Sequence, residues 1–357
     1  MLLIGTGLVL MLVGVAGCVA ANSFVGTLNA SVETGAVLDD ASLKQDLSAG
    51  RNLRGPIDLL LLGLDTRSDW EENTSRADSI LVLHVPASHD QAYLMSIPRD
   101  ALVEIPPYPK AGFYGTQEKA NAAYYFGSQN GLGWRGGAAL TAKMVHEVTG
   151  LTFSGVVVID FKGFRGIIDA LGSVRMCVDQ ETISDHYVVE DGKPVYAKGK
   201  PTGVYYRNSY VHEPGCREMP GWEALDFARQ RKGGPNGDYD RQRHQQQLLK
   251  AIATKATSAG IITNPLRIND LIAAAGGSLK IDTGRADLTD FAFTLKSLAT
   301  ADLVMLKTNG GTFNSAQIRK TSAELLDDET LEMFTAAAED RLGLFVLDHP
   351  EVLIDSR

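Results

Sequence analysis

Cysteine is scarce in this chain of 357 residues: Cys18, Cys177 and Cys216 are the whole complement. Cys18 falls in an N-terminal apolar run, which leaves an even pair. Three readings of that pair stay open: one disulfide in an oxidising compartment, two buried free thiols, or a metal site. The metal site is the weakest, because no third cluster of ligand residues lies nearby. Basic charge is short as well. There are 34 Lys+Arg against 43 Asp+Glu, a formal net charge of −9. No recognition-helix motif is present, so no nucleic-acid partner is expected. Internal repeats and low-complexity tracts are missing, which sets aside a solenoid. The remaining composition, 44% hydrophobic and 22% charged, is that of a globular protein able to build a large core.

Charge of either sign is absent from Met1–Ser31, and Leu2–Ala21 is nearly continuous apolar sequence. That length suits a bilayer-spanning helix. One reading is a single-pass anchor that places everything from about Thr27 onward outside the cytoplasm. The other is a cleaved signal, since Val15-Ala16-Gly17-Cys18 resembles a bacterial lipobox with Cys18 as the lipidated residue. Neither carries the positive flank such segments usually have. The uncleaved anchor is favoured, with residues 1–26 as anchor or signal and 27–55 as a polar linker.

From residue 56 the pattern changes. Asp58–Asp65 is a continuous apolar run of strand length, the mark of a strand buried on both faces. Ser79–Val85, Ala92–Ile97, Gly155–Asp160, Ser173–Asp179 and Asp302–Lys307 read as further strands. Helical spacing predicts helices over Gly136–Thr149 (stopped by Gly150), Phe161–Leu171, Gly221–Arg231, Tyr239–Ala259, Pro265–Ala275 and Asp287–Ala299. Strands interleaved with helices imply a layered α/β domain over 56–307. Residues 308–357 are expected to pack on it as an accessory helix and strand.

The densest chemistry lies in Phe227–Arg243, FARQRKGGPNGDYDRQR, where five basic residues surround Asp238 and Asp240. Guanidinium groups offer planar, bidentate donors that match phosphate oxygens. The interposed GGPNG is turn chemistry, so Arg229/Arg231 and Arg241/Arg243 can fold back towards one another. The plainer reading of such a run is a solvated, self-neutralising loop. A second cluster raises the phosphate reading. If the first three strands form an antiparallel meander, then Asp65 closing strand one, Arg67, Arg76 and Asp78 before strand two, and Arg99 after strand three share one sheet edge. Two carboxylates thirteen residues apart suit a divalent ion that keeps most of its water and is completed by substrate phosphates. Taken singly, Asp65 and Asp78 read as turn and cap residues, and Arg99 as a partner for Asp100. Histidine is a poor candidate for chemistry: His84, His146 and His244 have no evident partner in the sequence.

The segments LLLLGLDTR, SRADSILVLHV, LMSIPRD, KANAAYYFG, GIIDALGSV, GWEALDFARQR and GDYDRQRHQQQLL follow one another over about Ile57–Ala253. This ordered set resembles the LytR-CpsA-Psr (LCP) family, and the cysteine pair and Ala/Gly-rich composition resemble its actinobacterial members. The resemblance implies a three-layer α/β/α sandwich around a mixed central sheet, with an apolar tunnel for a prenyl chain. It implies a membrane-anchored, extracytoplasmic phosphotransferase that moves a glycopolymer from a polyprenyl-pyrophosphate carrier to a peptidoglycan hydroxyl. Asp65 and Asp78 would hold magnesium, or manganese in its place. Arg76, Arg99, Arg229, Arg231 and Arg241 would grip the pyrophosphate, with Asp238 and Gln245 beside them. In this chain Gly172-Ser173-Val174 stands where the family usually has Gly-Gly-Val, and His244 is inserted between Arg243 and Gln245. Two rivals remain: a lipid-pyrophosphate hydrolase using the same groups, and a non-catalytic module that binds or scaffolds wall polymer. Intact Asp65, Asp78 and arginines weigh against the binding module, which has no need of a metal site.

Overall fold

The computed structural model describes residues 33–39, 42–44, 53–65, 74–197, 204–231, 234–261, 265–284, 303–318 and 321–354. The expected anchor with Cys18, most of the linker, Arg67 and the helix expected at Asp287–Ala299 lie outside these residues. Among those described, no helix is long and apolar enough to cross a membrane.

Seven strands make one mixed sheet: Glu33–Thr34 (β1), Ile57–Leu64 (β2), Ala77–Val85 (β3), Ala92–Ile97 (β4), Gly155–Asp160 (β7), Leu279–Asp282 (β13) and Leu303–Leu306 (β14). Their spatial order is β1-β13-β7-β2-β3-β4-β14. β2 is apolar apart from Asp58 because it runs inside the sheet, parallel to β7 on one side and antiparallel to β3 on the other. β2, β3 and β4 form the expected antiparallel meander. β1 falls in the stretch expected to be linker and pairs in parallel with β13. The Asp282 carboxylate accepts from the amides of Val37 and Leu38, at 2.6 and 2.9 Å, tying that stretch down.

Helices cover both faces. On one lie Ala122–Gly127 (α1), Gly133–Thr149 (α2), Asp328–Ala338 (α7) and Leu342–Asp348 (α8). Alternate sheet residues Leu60, Leu62, Ile80, Val82, Met95 and Val156 pack there against Tyr124, Leu140, Met144 and Phe334. The other face carries Phe161–Leu171 (α3), Gly221–Arg229 (α4), Asp238–Ser258 (α5) and Pro265–Ala275 (α6). There Val157 and Ile159 meet Phe164, Ile167 and Ile272, and Ile168 packs with Phe227 and Leu248. The result is the three-layer α/β/α sandwich around a mixed sheet.

Most helix limits follow the predicted signals. Gly150 ends α2 at φ 74°, and the Asp160 side chain caps α3 by accepting from the Gly163 amide. α4 is two residues shorter than expected. Gln230 turns to extended backbone, and its side-chain Nε2 donates to the Asp226 carbonyl at 3.0 Å and carboxylate at 2.9 Å. That anchored turn sends Arg231 away from the helix.

Smaller elements decorate the sandwich. Leu102–Ile105 (β5) and Thr116–Lys119 (β6) form a hairpin at the end of β4. Val174–Val178 (β8) pairs with Gly215–Met219 (β12), and Cys177 and Cys216 sit opposite each other there, joined by a disulfide. Thr182–Glu190 (β9), Lys193–Tyr196 (β10) and Ser209–His212 (β11) make a three-stranded sheet against α4. The tail is richer than a helix and a strand. Ser315–Ile318 (β15) and Thr321–Glu324 (β16) form a hairpin, and α7 and α8 contribute Met333, Phe334, Leu342 and Phe345 to the main core.

Candidate active site

Sheet register brings the first pair together. β3 and β4 pair with Ile80 opposite Ile97, so Asp78 and Arg99 continue the same register beyond the end of the ladder. The Arg99 guanidinium donates to the Asp78 carboxylate. Its Nε lies 3.7 Å from Asp100 and 3.9 Å from Asp238. Arg99 therefore does lie near Asp100, as its plainer reading had it, but its closer partner is Asp78. Burial opposes the Arg99 charge, and Asp78, Asp100 and Asp238 outweigh it, so its pKa is raised.

The second cluster arrives on α5. Gly237 takes φ 53° just before the helix, and Asp238 and Asp240 occupy its first turn, where the helix dipole favours carboxylates. Asp238 forms an ion pair with Arg241 at 2.8 Å, and Arg241 donates to the Asp78 carbonyl at 3.0 Å. Arg241 is buried. Burial pushes its pKa down, with Asp238 and Asp78 opposing that shift and the Arg99 and Arg231 charges adding to it. Two guanidinium donors here, Arg99 Nε and Arg241 Nε, are buried with no hydrogen-bond partner. Buried donors are normally satisfied, so two orphaned side by side define a place for acceptor oxygens.

The other predicted residues surround this pair. Arg229, at the end of α4, lies 3.6 Å from Asp65 and stacks over the Phe161 ring at 4.0 Å. Arg76 donates to Asn121 at 3.1 Å and lies 5.7 Å from the Tyr125 ring centre. Arg231 is exposed on the loop between α4 and α5. Gln245 is one turn past Arg241 and stands beside Arg229 rather than among the clustered guanidiniums. Arg243 does not fold back with Arg241. It lies on another side of α5, bound to Asp179 at 2.6 Å and Asp240 at 3.1 Å. The histidines do have partners: His84 binds Asp58 at 2.7 Å, His146 the Leu151 carbonyl at 2.8 Å, and His244 Asp179 at 3.2 Å. Sequence reading missed these because each partner is brought in by packing or by a turn.

A family model, the LytR_cpsA_psr family, matches residues 24–339. The chain belongs to the LytR_cpsA_psr family. Among its relatives is the cell wall biosynthesis protein LcpA of Corynebacterium glutamicum, 28% identical over 291 residues, or 72% of this chain and 52% of LcpA. The chain thus spans about half the length of LcpA. Another is TagU of Enterococcus faecalis, named a polyisoprenyl-teichoic acid–peptidoglycan teichoic acid transferase, 26% identical over 246 residues and covering 69% of this chain and 68% of TagU. Among solved structures, YwtF (TagT) from Bacillus subtilis, with bound octaprenyl pyrophosphate lipid, aligns at a TM-score of 0.55 and 20% identity. It covers 87% of this chain and 99% of YwtF, a likeness in fold.

This LytR_cpsA_psr chain adds two features that sequence reading had not assigned. Lys119 and Asn121, inside the KANAAYYFG segment, complete the rim. Lys119 pairs with Asp100 at 3.2 Å, while Asn121 holds Arg76 and donates its own amide to the Arg99 carbonyl at 3.0 Å. The second is an apolar crevice between the sheet and α3, α4 and α5. It is lined by Leu81, Phe161, Phe164, Leu225, Leu248 and Leu249, holds about 30 Å³, and has Ser79, Arg229 and Gln245 as its polar members. Leu61 and Leu83, on central strands, stay partly exposed on the same sheet face. Periodicity marked these residues as apolar, but only the packing of helix on sheet left a gap there.

Proposed function

We propose that this chain transfers a glycopolymer from a polyprenyl-pyrophosphate carrier to a cell-wall hydroxyl, forming a phosphodiester, on the extracytoplasmic side of a membrane it is anchored in. The observation that carries this is the pair of orphaned buried donors, Arg99 Nε and Arg241 Nε, between Asp78 and Asp238. Pyrophosphate oxygens satisfy such donors, and the adjoining crevice has apolar walls, though at about 30 Å³ it would have to open to admit a prenyl chain. The names of TagU and of lipid-bound YwtF (TagT) point the same way.

Asp65 and Asp78 fit magnesium, and manganese equally. Both are carboxylates at one sheet edge, and the residues beside them are arginines rather than competing soft ligands. Among the described residues, the one grouping of three or more candidate ligand side chains is Glu329, His349 and Glu351, which includes neither. Two carboxylates suit an ion completed by water and phosphate oxygens. Bound there, the metal would supply charge to the pyrophosphate oxygens and lower the cost of the leaving phosphate.

The protein groups divide the remaining work. Arg99 and Arg241 hold the pyrophosphate through the free Nε donors, and Asp238 keeps both guanidiniums oriented. Arg229 spans the boundary between phosphate and crevice, its guanidinium over Phe161 and near Asp65. Arg76, held by Asn121, and Arg231 add positive charge at the rim. The acceptor hydroxyl oxygen attacks the phosphorus that bears the glycan, its proton passing to a carboxylate of the site or to water. The bond from that phosphorus to the bridging oxygen breaks, and prenyl monophosphate leaves.

The test incubates the protein in detergent with a prenyl-pyrophosphoryl sugar, magnesium and peptidoglycan oligomers, beside Asp78→Ala and Arg231→Ala. Glycan-linked sugar phosphate, lost in Asp78→Ala and reduced in Arg231→Ala, is the expected outcome. Free sugar phosphate despite the presence of acceptor would make the chain a hydrolase. Binding of the lipid without magnesium-dependent cleavage would make it a binding module.

A further inference from the structure

The tail beyond the expected domain reaches the phosphate site. Glu324 ends β16, and its backbone meets the residues that follow Arg99. Its amide donates to the Asp100 carbonyl at 2.9 Å, and it bridges Ala101 in parallel register. Its side chain turns to the other half of the site. One carboxylate oxygen accepts from the Tyr239 hydroxyl at 3.2 Å and from the Asn314 amide at 2.9 Å, and the second accepts from Ser315 Oγ. Tyr239 directly follows Asp238 in the first turn of α5. A single residue thus binds the backbone beside Arg99 and the side chain beside Asp238.

The join is buried and complete. Tyr239, Asn309 and Glu324 are all buried. The Asn309 side-chain nitrogen donates to the Tyr239 hydroxyl at 2.6 Å and to the Leu325 carbonyl at 2.8 Å. Its oxygen accepts from the Asp327 amide at 3.0 Å. Every polar atom of the three side chains has a partner, the condition under which a buried network fixes one arrangement. Burial above all, with the Glu324 and Asp238 charges, pushes the Tyr239 pKa above its usual value, so the hydroxyl keeps its proton and donates to Glu324. The Phe313 ring lies edge-on to Tyr239 at 5.8 Å, and a Cβ on Gly237 would come within 2.8 Å of it. Farther along α5, Gln246 donates to Ser96 of β4 at 2.7 Å and holds the body of the helix to the sheet. Tyr239 holds its start.

The site needs that start to be held. Arg99 and Arg241 arrive on separate elements, and the charge of Arg99 works against that of Arg241. Two Nε donors serve one pyrophosphate only if their spacing is set before it arrives. We propose that Glu324, acting through Tyr239, is a positioning residue: it clamps the end of β4 that carries Arg99 to the start of α5 that carries Asp238 and Arg241. The clamp rests on the reading of these arginines as a pyrophosphate site.

The experiment measures affinity for inorganic pyrophosphate with magnesium by titration calorimetry, on the full chain in detergent. Wild type is compared with Tyr239→Phe, Glu324→Ala, their double variant and Glu324→Gln. Val145→Ala, a buried substitution on α2, controls for lost stability. Tyr239→Phe and Glu324→Ala should each weaken binding about tenfold. The double variant should bind no more weakly than Glu324→Ala, because both changes break one join. Glu324→Gln should bind as wild type does: its carbonyl oxygen replaces the acceptor facing Tyr239, and its amide donates to Ser315. Val145→Ala should also bind as wild type does. Unchanged affinity in Tyr239→Phe and Glu324→Ala overturns the clamp, even if the protein transfers glycan. An equal loss in Val145→Ala overturns it as well, since instability alone would then explain the loss. A wild type that binds no pyrophosphate removes the site and the clamp with it. The expected losses, in a protein that transfers no glycan, keep the clamp and remove the transferase reading.

Discussion

Replacing Arg241 with Met tests the core of the site without requiring the natural substrate. In the unliganded protein Arg241 has one terminal nitrogen 2.8 Å from Asp238 and 3.0 Å from the Asp78 carbonyl, while its Nε is buried and unpaired. If that Nε serves a pyrophosphate oxygen, its loss removes a charge-assisted hydrogen bond of about 1.5–3 kcal/mol, or about ten- to one-hundred-fold in affinity. The fold should lose less. Stripping one partner from a buried ion pair costs about 3–5 kcal/mol, but Met also relieves the burial of a charge repelled by Arg99 and Arg231. A net loss of about 1–2 kcal/mol is expected, because Asp238 keeps Arg99 within 3.9 Å. The assay is thermal unfolding with and without inorganic pyrophosphate and magnesium. At about one hundred times the dissociation constant, wild type gains about 2.7 kcal/mol. At the same concentration the variant should gain about 1 kcal/mol, for an affinity some thirtyfold weaker. Equal stabilisation of the two proteins would refute the assignment of the orphaned donor to a phosphate oxygen.

Two further predictions concern groups outside the reacting centre. Asp226 lies buried between His186 and His212, at 3.0 and 2.8 Å. Burial raises its pKa, but the two histidine bonds outweigh that and hold it at about 2. Its folded value is below the unfolded one, so its contribution of about 2 kcal/mol is present above about pH 4 and is lost as pH falls towards 2. His186 has the opposite sign. Burial lowers its pKa, but bonds to Asp185 and Asp226 outweigh that and raise it, and its contribution fades as pH rises past that raised value. Urea unfolding across pH should show both limbs in wild type, and in Asp226→Asn no acid limb and a smaller His186 limb, since Asp185 still bonds His186; an unchanged profile in the variant would assign the limbs elsewhere. The Cys177–Cys216 disulfide closes a loop of sequence separation 39. Its removal by paired Cys→Ser substitutions should cost about 4 kcal/mol in equilibrium unfolding, and a loss under about 1 kcal/mol would contradict this constraint on the unfolded chain.

Strand and helix identities were legible where burial imposes a strong pattern. β2 reads as continuous apolar sequence because it is flanked by strands and covered on both faces, and α2 stops where Gly150 takes a left-handed conformation. β5, β6 and β9–β11 were missed. β5, β6, β10 and β11 are four residues each, and β9 buries Thr182, Ser184 and His186 on its inner face, so no hydrophobic period rises above the background. The end of α4 was misjudged because Gln230 is a good helix former in isolation and is turned outward only by its bonds to Asp226.

The sequence alone determined that two acid–arginine clusters exist, and that Asp65, Asp78 and Arg99 share one edge if the first three strands form a meander. Strand identity is a local property; the pairing that makes the meander came from the sheet itself. Tertiary structure decided which arginines share the site. Arg229, Arg231, Arg241 and Arg243 look equivalent in a run of charges, yet Arg229 ends α4, Arg231 lies on the loop, and the angular positions on α5 send Arg241 to Asp78 and Arg243 to Asp179. It also decided the partners of the histidines and the crevice under α4 and α5. A gap depends on how closely two separately folded surfaces approach, and no residue encodes that distance by itself.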